Sequence, residues 1–164
     1  EASYVVRGGV ALFDGNFSAH DDETLPADDP DTPMKLAAFL DLTHPGALAL
    51  LAGDWTPASS SVAGLTGGRI VSLNARRPSK ALENVAEIRA TGRIPLADRS
   101  FDGVALDTEY SQREMIVEAA RLLRTRGRLI ATGSVQLTPE FRELARDENH
   151  VVAEYVGELV SLRR

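Results

Sequence analysis

Ile94-Pro-Leu-Ala-Asp-Arg-Ser-Phe-Asp-Gly-Val-Ala-Leu-Asp107, followed by Glu118-Ala-Ala-Arg-Leu-Leu-Arg-Thr-Arg-Gly-Arg-Leu-Ile-Ala131, decides the fold. The first stretch reads as a loop that feeds a buried strand, Phe101 to Leu106. Residues 112–124 then put Met115, Ile116, Ala119, Leu122 and Leu123 on one face of a helix, with Glu114, Glu118, Arg121 and Arg124 outside. Gly127 stands where a left-handed residue ends a helix, and Leu129-Ile-Ala131 is a further strand.

The alternation extends outward. Thr32 as N-cap and Pro33 at the first helical position open a helix carrying Leu36, Phe39 and Leu40. Ala47 to Ala52, the longest apolar run, suits a strand covered on both faces. Thr56-Pro57 starts a helix that Gly67-Gly68 stops, and Ile70-Val-Ser-Leu73 is the next strand. Residues 78–86 read as helix and Glu87-Ile-Arg89 as strand. Thr138-Pro139-Glu140 repeats the cap-and-proline start, predicting a helix that buries Phe141, Leu144 and Ala145. Val151 to Val156 and Glu158 to Leu162 read as a closing antiparallel pair. At the other end, Tyr4 to Phe13 and the segment after it read as a short hairpin with a glycine-rich turn or bulge. The expectation is one doubly wound α/β domain over 32–164, preceded by a β-hairpin and acidic loop over 1–31.

Length and charge bound the function. At 164 residues with 43% hydrophobic and 26% charged residues, the chain has the composition of a soluble globular domain. No apolar run approaches the roughly 20 residues of a membrane span, and no signal-peptide pattern is present, so a cytoplasmic location is expected. The absence of cysteine removes disulfides and thiolate chemistry. Because the sequence begins at Glu1, it is expected to be processed, trimmed or cut from a longer one. The net charge of −6 is concentrated in residues 1–54, and no basic face accompanies it, which disfavours nucleic acid as a partner. Asp21 to Asp31 holds six acids among prolines and reads as a solvated loop rather than a calcium loop.

The run Ile94 to Asp102, paired with Arg121-Leu-Leu-Arg-Thr-Arg-Gly-Arg-Leu129, resembles the second half of the class I S-adenosylmethionine-dependent methyltransferases. That resemblance implies a Rossmann-like sheet whose last strand is antiparallel, with a glycine-rich turn after the first strand of the domain. It also implies an acid at the end of the second strand and an Asp after the third. Here Leu51-Ala-Gly-Asp-Trp-Thr-Pro57 keeps only Gly53 of that turn, Asn74 replaces the acid, and Ala90 replaces the Asp. Three departures together imply that no cofactor is held and that the domain acts as a structural or protein-interaction subunit. The N-terminal strands and acidic loop are the expected partner contacts. The alternative is an active methyltransferase that holds S-adenosylmethionine through Gly53, Asp54, Asn74 and Asp107.

Trp55 either fills the cleft above Gly53, closing it, or packs under a neighbouring loop. Asp107 with Tyr110, at the carboxyl edge of the sheet, is the best-placed polar pair. His20, His44 and His150 lack metal-ligand spacing, and Ser59-Ser60-Ser61 lacks a nucleophile elbow. No catalytic residue and no metal site are assigned.

Overall fold

The computed structural model describes residues 5–7, 10–13, 29–75 and 83–157. They form one sheet in the order β1-β2-β5-β4-β3-β6-β7-β9-β8. The strands are β1 (Val5–Arg7), β2 (Val10–Leu12), β3 (Leu48–Ala52), β4 (Arg69–Leu73), β5 (Val85–Arg89), β6 (Phe101–Leu106), β7 (Leu123–Thr132), β8 (Phe141–Arg146) and β9 (His150–Tyr155). Strands β3 to β7 are parallel to their neighbours in that run. The hairpin β1–β2 joins through β2, parallel to β5, and β9 lies antiparallel to both β7 and β8. This is the expected doubly wound sheet with an antiparallel end and a short N-terminal hairpin.

Pleating explains why β3 is apolar without a break. Leu50 and Ala52 face the core beneath α3 (Arg113–Leu122), together with Ile116, Ala119 and Leu122. Ala49 and Leu51 face the opposite core, beneath α1 (Thr32–Phe39) and α2 (Ser59–Thr66), where Leu36, Leu40 and Val62 lie. Successive residues point to opposite sides, so a strand covered on both must be apolar throughout. Burying one such leucine contributes about 1.5–3 kcal/mol.

Four local expectations need correction. The first concerns the segment after Pro139, expected as helix, which is strand β8. Asp147 accepts the Asn149 and His150 amides, each at 2.7 Å, which closes a hairpin into β9. Phe141 then meets Tyr155 edge-on at 5.9 Å, while Leu144 and Ala145 stay exposed. Pairing along a whole strand outweighs a cap signal. Second, Val85 and Ala86 begin β5 instead of ending a helix; residues 76–82 lie outside the described set. Third, Gly127 is not left-handed, whereas Arg126 is, at φ 69°. Glycine is needed at 127 for space, because a Cβ there would lie 2.9 Å from the Arg124 carbonyl and 3.1 Å from that of Phe101. Fourth, α1 begins at Thr32 with Asp31 as N-cap, shifting the cap by one residue. Asp14 to Phe17 and Glu158 to Leu162 also lie outside the described residues.

The two stretches that decide the fold hold each other. Arg121 donates to the carbonyls of Ile94 (2.7 Å) and Leu96 (2.8 Å), to Asp98, and through Nε and Nη2 to Glu118. Glu118 in turn accepts the Ile94 amide at 2.6 Å. Asp102, at the start of β6, accepts the Leu48 amide at 2.7 Å and pairs with Arg124, fixing β6 against β3. Burial works to raise the pKa of Glu118, but the bonds from Arg121 and the Ile94 amide outweigh it and hold it below its ordinary 4.5. A carboxylate with a lowered folded pKa stabilises fully above its unfolded pKa, and that contribution is lost as pH falls through the folded value.

Arg121→Ala should therefore destabilise the fold by about 2–3 kcal/mol, somewhat less than a fully buried pair would lose. The check is the midpoint of urea unfolding at pH 7. The deficit relative to the parent chain should shrink as the pH is taken below 4.5.

Candidate functional site

The chain runs from β3 outward through β4 to β5, then returns to lay β6 and β7 on the other side of β3. The switch point lies between the carboxyl ends of β3 and β6, where open α/β sheets form their ligand crevice. Gly53 follows β3 and Asp107 follows β6, and the two are in contact. A Cβ on Gly53 would sit 1.9 Å from Asp107 Oδ2, and its φ of +61° is itself a glycine conformation. The Asp54 amide donates to Asp107 Oδ2 (2.8 Å), and the Tyr110 amide donates to Oδ1 (3.1 Å). The Ser111 hydroxyl closes the turn on the Asp107 carbonyl at 2.6 Å. Asp107 is buried, and burial raises its pKa more than the two amide bonds lower it.

Asn74 follows β4 in a left-handed conformation, φ 53°, which asparagine tolerates better than most residues. Its amide nitrogen donates to the Ala90 carbonyl (2.8 Å) and the Tyr110 hydroxyl (3.0 Å), while its oxygen accepts the Ala90 amide (3.0 Å). An acid could not make the two donations, so this arrangement requires the amide. Asn74 clamps the loop after β5 and anchors Tyr110 across the crevice.

Two cavities flank the turn from Asp107 to Tyr110. One, of about 770 Å³, has Asn74, Ala90, Gly92, Ile94 and Tyr110 in its wall, with Glu118 and Arg121 at its α3 side. The other, of about 460 Å³, lies over the ends of β3, β6 and β7, between Trp55, Asp54, Asp107, Thr132 and His150. Both volumes fall in the range of small-molecule sites, roughly 300–1,000 Å³. Trp55 lines this smaller cavity, 5.8 Å from the His150 ring. What covers Gly53 is Asp107.

Structure comparison finds the same chain path in solved methyltransferases. The Burkholderia thailandensis 1,6-didemethyltoxoflavin-N1-methyltransferase, solved with S-adenosylhomocysteine, is 14% identical with a TM-score of 0.58, over 78% of each chain. The antibiotic-resistance methyltransferase Kmr is 13% identical with a TM-score of 0.54, over 77% of this chain and 93% of its own. MycE of the mycinamycin biosynthetic pathway, solved with Mg and S-adenosylhomocysteine, is 15% identical with a TM-score of 0.54, over 81% of this chain and 49% of its own.

The fold is that of the class I S-adenosylmethionine-dependent methyltransferases.

No family model matches the chain, and no curated protein matches it by sequence. The chain spans only 44% of a Galdieria sulphuraria protein and 46% of an Anabaena variabilis protein, both described as methyltransferases. The expectation that no cofactor is held is overturned. Solved members of this methyltransferase fold hold S-adenosylhomocysteine, and two cavities open at the switch point of the sheet here. The physical error lay in equating lost motif residues with a lost crevice, which the strand order creates regardless.

Among the four residues picked from sequence, Gly53, Asp54 and Asp107 come together at one contact. Asn74 sits across the Asp107–Tyr110 turn, in the wall of the larger cavity. Sequence reasoning missed Thr132 and His150, which reach the smaller cavity only because β9 pairs with β7, Thr132 opposite His150. It also missed Glu118 and Arg121, although the charged face of α3 was legible.

Gly53→Ala should lower stability by 2 kcal/mol or more, on the order of the left-handed penalty plus the clash. Adding Asp107→Ala should relieve the clash while leaving the backbone penalty, so the double variant should melt above Gly53→Ala. Thermal unfolding of the three proteins checks this.

Proposed function

We propose that this chain is an S-adenosylmethionine-dependent methyltransferase domain with a modified cofactor seat. The observation that carries the reading is the pair of cavities on either side of the Asp107–Tyr110 turn, at the switch point of a methyltransferase sheet. A methyl transfer needs two ligands side by side, and two adjoining cavities supply that layout. When bound, the cofactor supplies an electrophilic methyl group on a sulfonium centre.

The chain's residues divide the remaining work. Asn74 keeps one acceptor position on its oxygen and fixes the Ala90 loop and the Tyr110 ring as walls for a nucleoside. Gly53 keeps the β3 turn low, and Asp107, when ionised, favours a positively charged ligand beside it. Asp54 is an exposed member of the smaller cavity's wall. Trp55 and the prolines at 30, 33 and 57 give that cavity apolar walls that exclude water from the ligand. Much of the recognition here falls to side chains and strand ends, because only Gly53 of a glycine-rich turn is present.

A second reading is a non-catalytic methyltransferase-like module that serves a protein partner. It is favoured by the engagement of Asn74 with Ala90 and Tyr110, and by the Asp107 carboxylate seated on Gly53. The readings differ in turnover: the module releases no S-adenosylhomocysteine from S-adenosylmethionine whatever acceptor is offered.

Isothermal titration with S-adenosylhomocysteine should give saturable binding, and Asn74→Ala should weaken it about tenfold, or about 1.4 kcal/mol. Far-ultraviolet circular dichroism of the variant confirms that it is folded. Absence of saturable binding by the folded parent protein, to either form of the cofactor, would falsify the proposal.

A further inference from the structure

His150 stands in the wall of the smaller cavity, and the cofactor reading leaves it unused. It opens β9 opposite Thr132, so the pairing of β9 with β7 puts an imidazole at the carboxyl edge of the sheet. Asp147, in the hairpin turn before it, brings Oδ1 to 3.5 Å from the His150 Nδ1 and accepts the His150 amide at 2.7 Å. The carboxylate favours the ring proton on Nδ1, which leaves the lone pair on Nε2. The Trp55 indole lies 5.8 Å away, tilted 46°, and the prolines at 30, 33 and 57 add apolar wall. The other titratable groups of that wall are the carboxylates of Asp29, Asp54 and Asp107. Carboxylates are ordinarily weaker bases than imidazole by about two pKa units. Asp29 is also paired with Lys35 at 2.6 Å, and Asp107 is committed to the Asp54 and Tyr110 amides.

A positioned base narrows the kind of acceptor. A carboxylate acceptor is already ionised and needs no base, and a neutral amine presents its lone pair before any proton leaves. A hydroxyl on an aromatic ring is a poor nucleophile unless its proton departs as the new bond forms. We propose that the smaller cavity binds a hydroxylated aromatic molecule as methyl acceptor, and that His150 Nε2 takes its phenolic proton. The assignment rests on the methyltransferase reading above, which places the cofactor's nucleoside in the larger cavity. The phenolic oxygen bonds to the methyl carbon of the sulfonium, the carbon–sulfur bond breaks with its electron pair staying on sulfur, and the proton passes to Nε2. His150, whose side chain is 33% exposed, then returns that proton to water. Asp147 is a positioning residue that holds the ring and stabilises the imidazolium. Trp55 gives the acceptor an aromatic face to stack on.

Trp55 is the sole tryptophan of the sequence, so intrinsic fluorescence reports from the cavity itself. The probes are 4-nitrophenol, whose ionised form absorbs at longer wavelength than its neutral form, and 4-nitroanisole, the same ring with no proton to give. Both should quench Trp55 saturably, unchanged within twofold by saturating S-adenosylhomocysteine. At pH 6 the ionised fraction of bound 4-nitrophenol should be at least threefold that in buffer. His150→Gln should remove this excess while 4-nitroanisole binds within twofold of the parent, a split that a merely structural role for His150 would not produce. Asp147→Asn should reduce the excess in the same way. Three results overturn the proposal: no saturable quenching, an ionised fraction in the parent protein no larger than in buffer, or an excess that survives His150→Gln. Full competition by S-adenosylhomocysteine also overturns it, by assigning the cavity to the cofactor, and leaves the methyltransferase reading standing. Failure of S-adenosylhomocysteine to bind at all overturns that reading and the acceptor assignment with it.

Discussion

The contact between Gly53 and the Asp107 carboxylate is the constraint on which the site depends. Two neighbouring parallel strands, β3 and β6, must end at the same level, and their exits must part in opposite directions. Where they part, the Asp54 amide has no strand partner. Asp107 supplies one at 2.8 Å and with its other oxygen binds the Tyr110 amide. The carboxylate thus sets the height of both turns, and with them the floor between the two cavities. It comes close enough to do so only because residue 53 has no side chain. Its raised pKa follows, since burial costs the charged form more than two amide donors return.

A second network sustains that edge from behind. Arg121 satisfies carbonyls of the 94–98 loop that no strand would satisfy, and Glu118 balances its charge. The loop after β5 therefore has a fixed shape, although the backbone there makes few regular bonds. Asn74 performs the equivalent task one strand earlier by holding Ala90 from both sides. Side chains brace loops on both sides of the larger cavity, which keeps its walls in place whether or not a ligand is bound.

Much of this was legible in the residues. The unbroken apolar run of β3 announced a strand covered twice, and Gly67, at φ 66°, ends α2 as expected. The packing motif from Ile94 to Leu129 named the fold, and it did so because its charged members bind one another. The β8–β9 hairpin was not legible. Thr138-Pro139-Glu140 carries a sound helix-start signal, and it lost to pairing with β9, which itself pairs with β7. The same pairing delivers Thr132 and His150 to the smaller cavity. No local pattern marks either residue as part of a site.

The sequence by itself determined the alternation of strands and helices, the double cover of β3, and Gly53, Asp54, Asn74 and Asp107 as candidate site residues. Those features follow from periodicity and from glycine, proline and polar residues at strand ends, all of which act over a few residues. Only the tertiary structure decided that the crevice is open. A cavity is the space left between elements distant in sequence: here the ends of β3, β6 and β7 with the start of β9 on one side, and those of β4 and β5 with α3 on the other. The space is fixed by strand order and by the side chains that brace the loops around it. It persists for as long as the fold does.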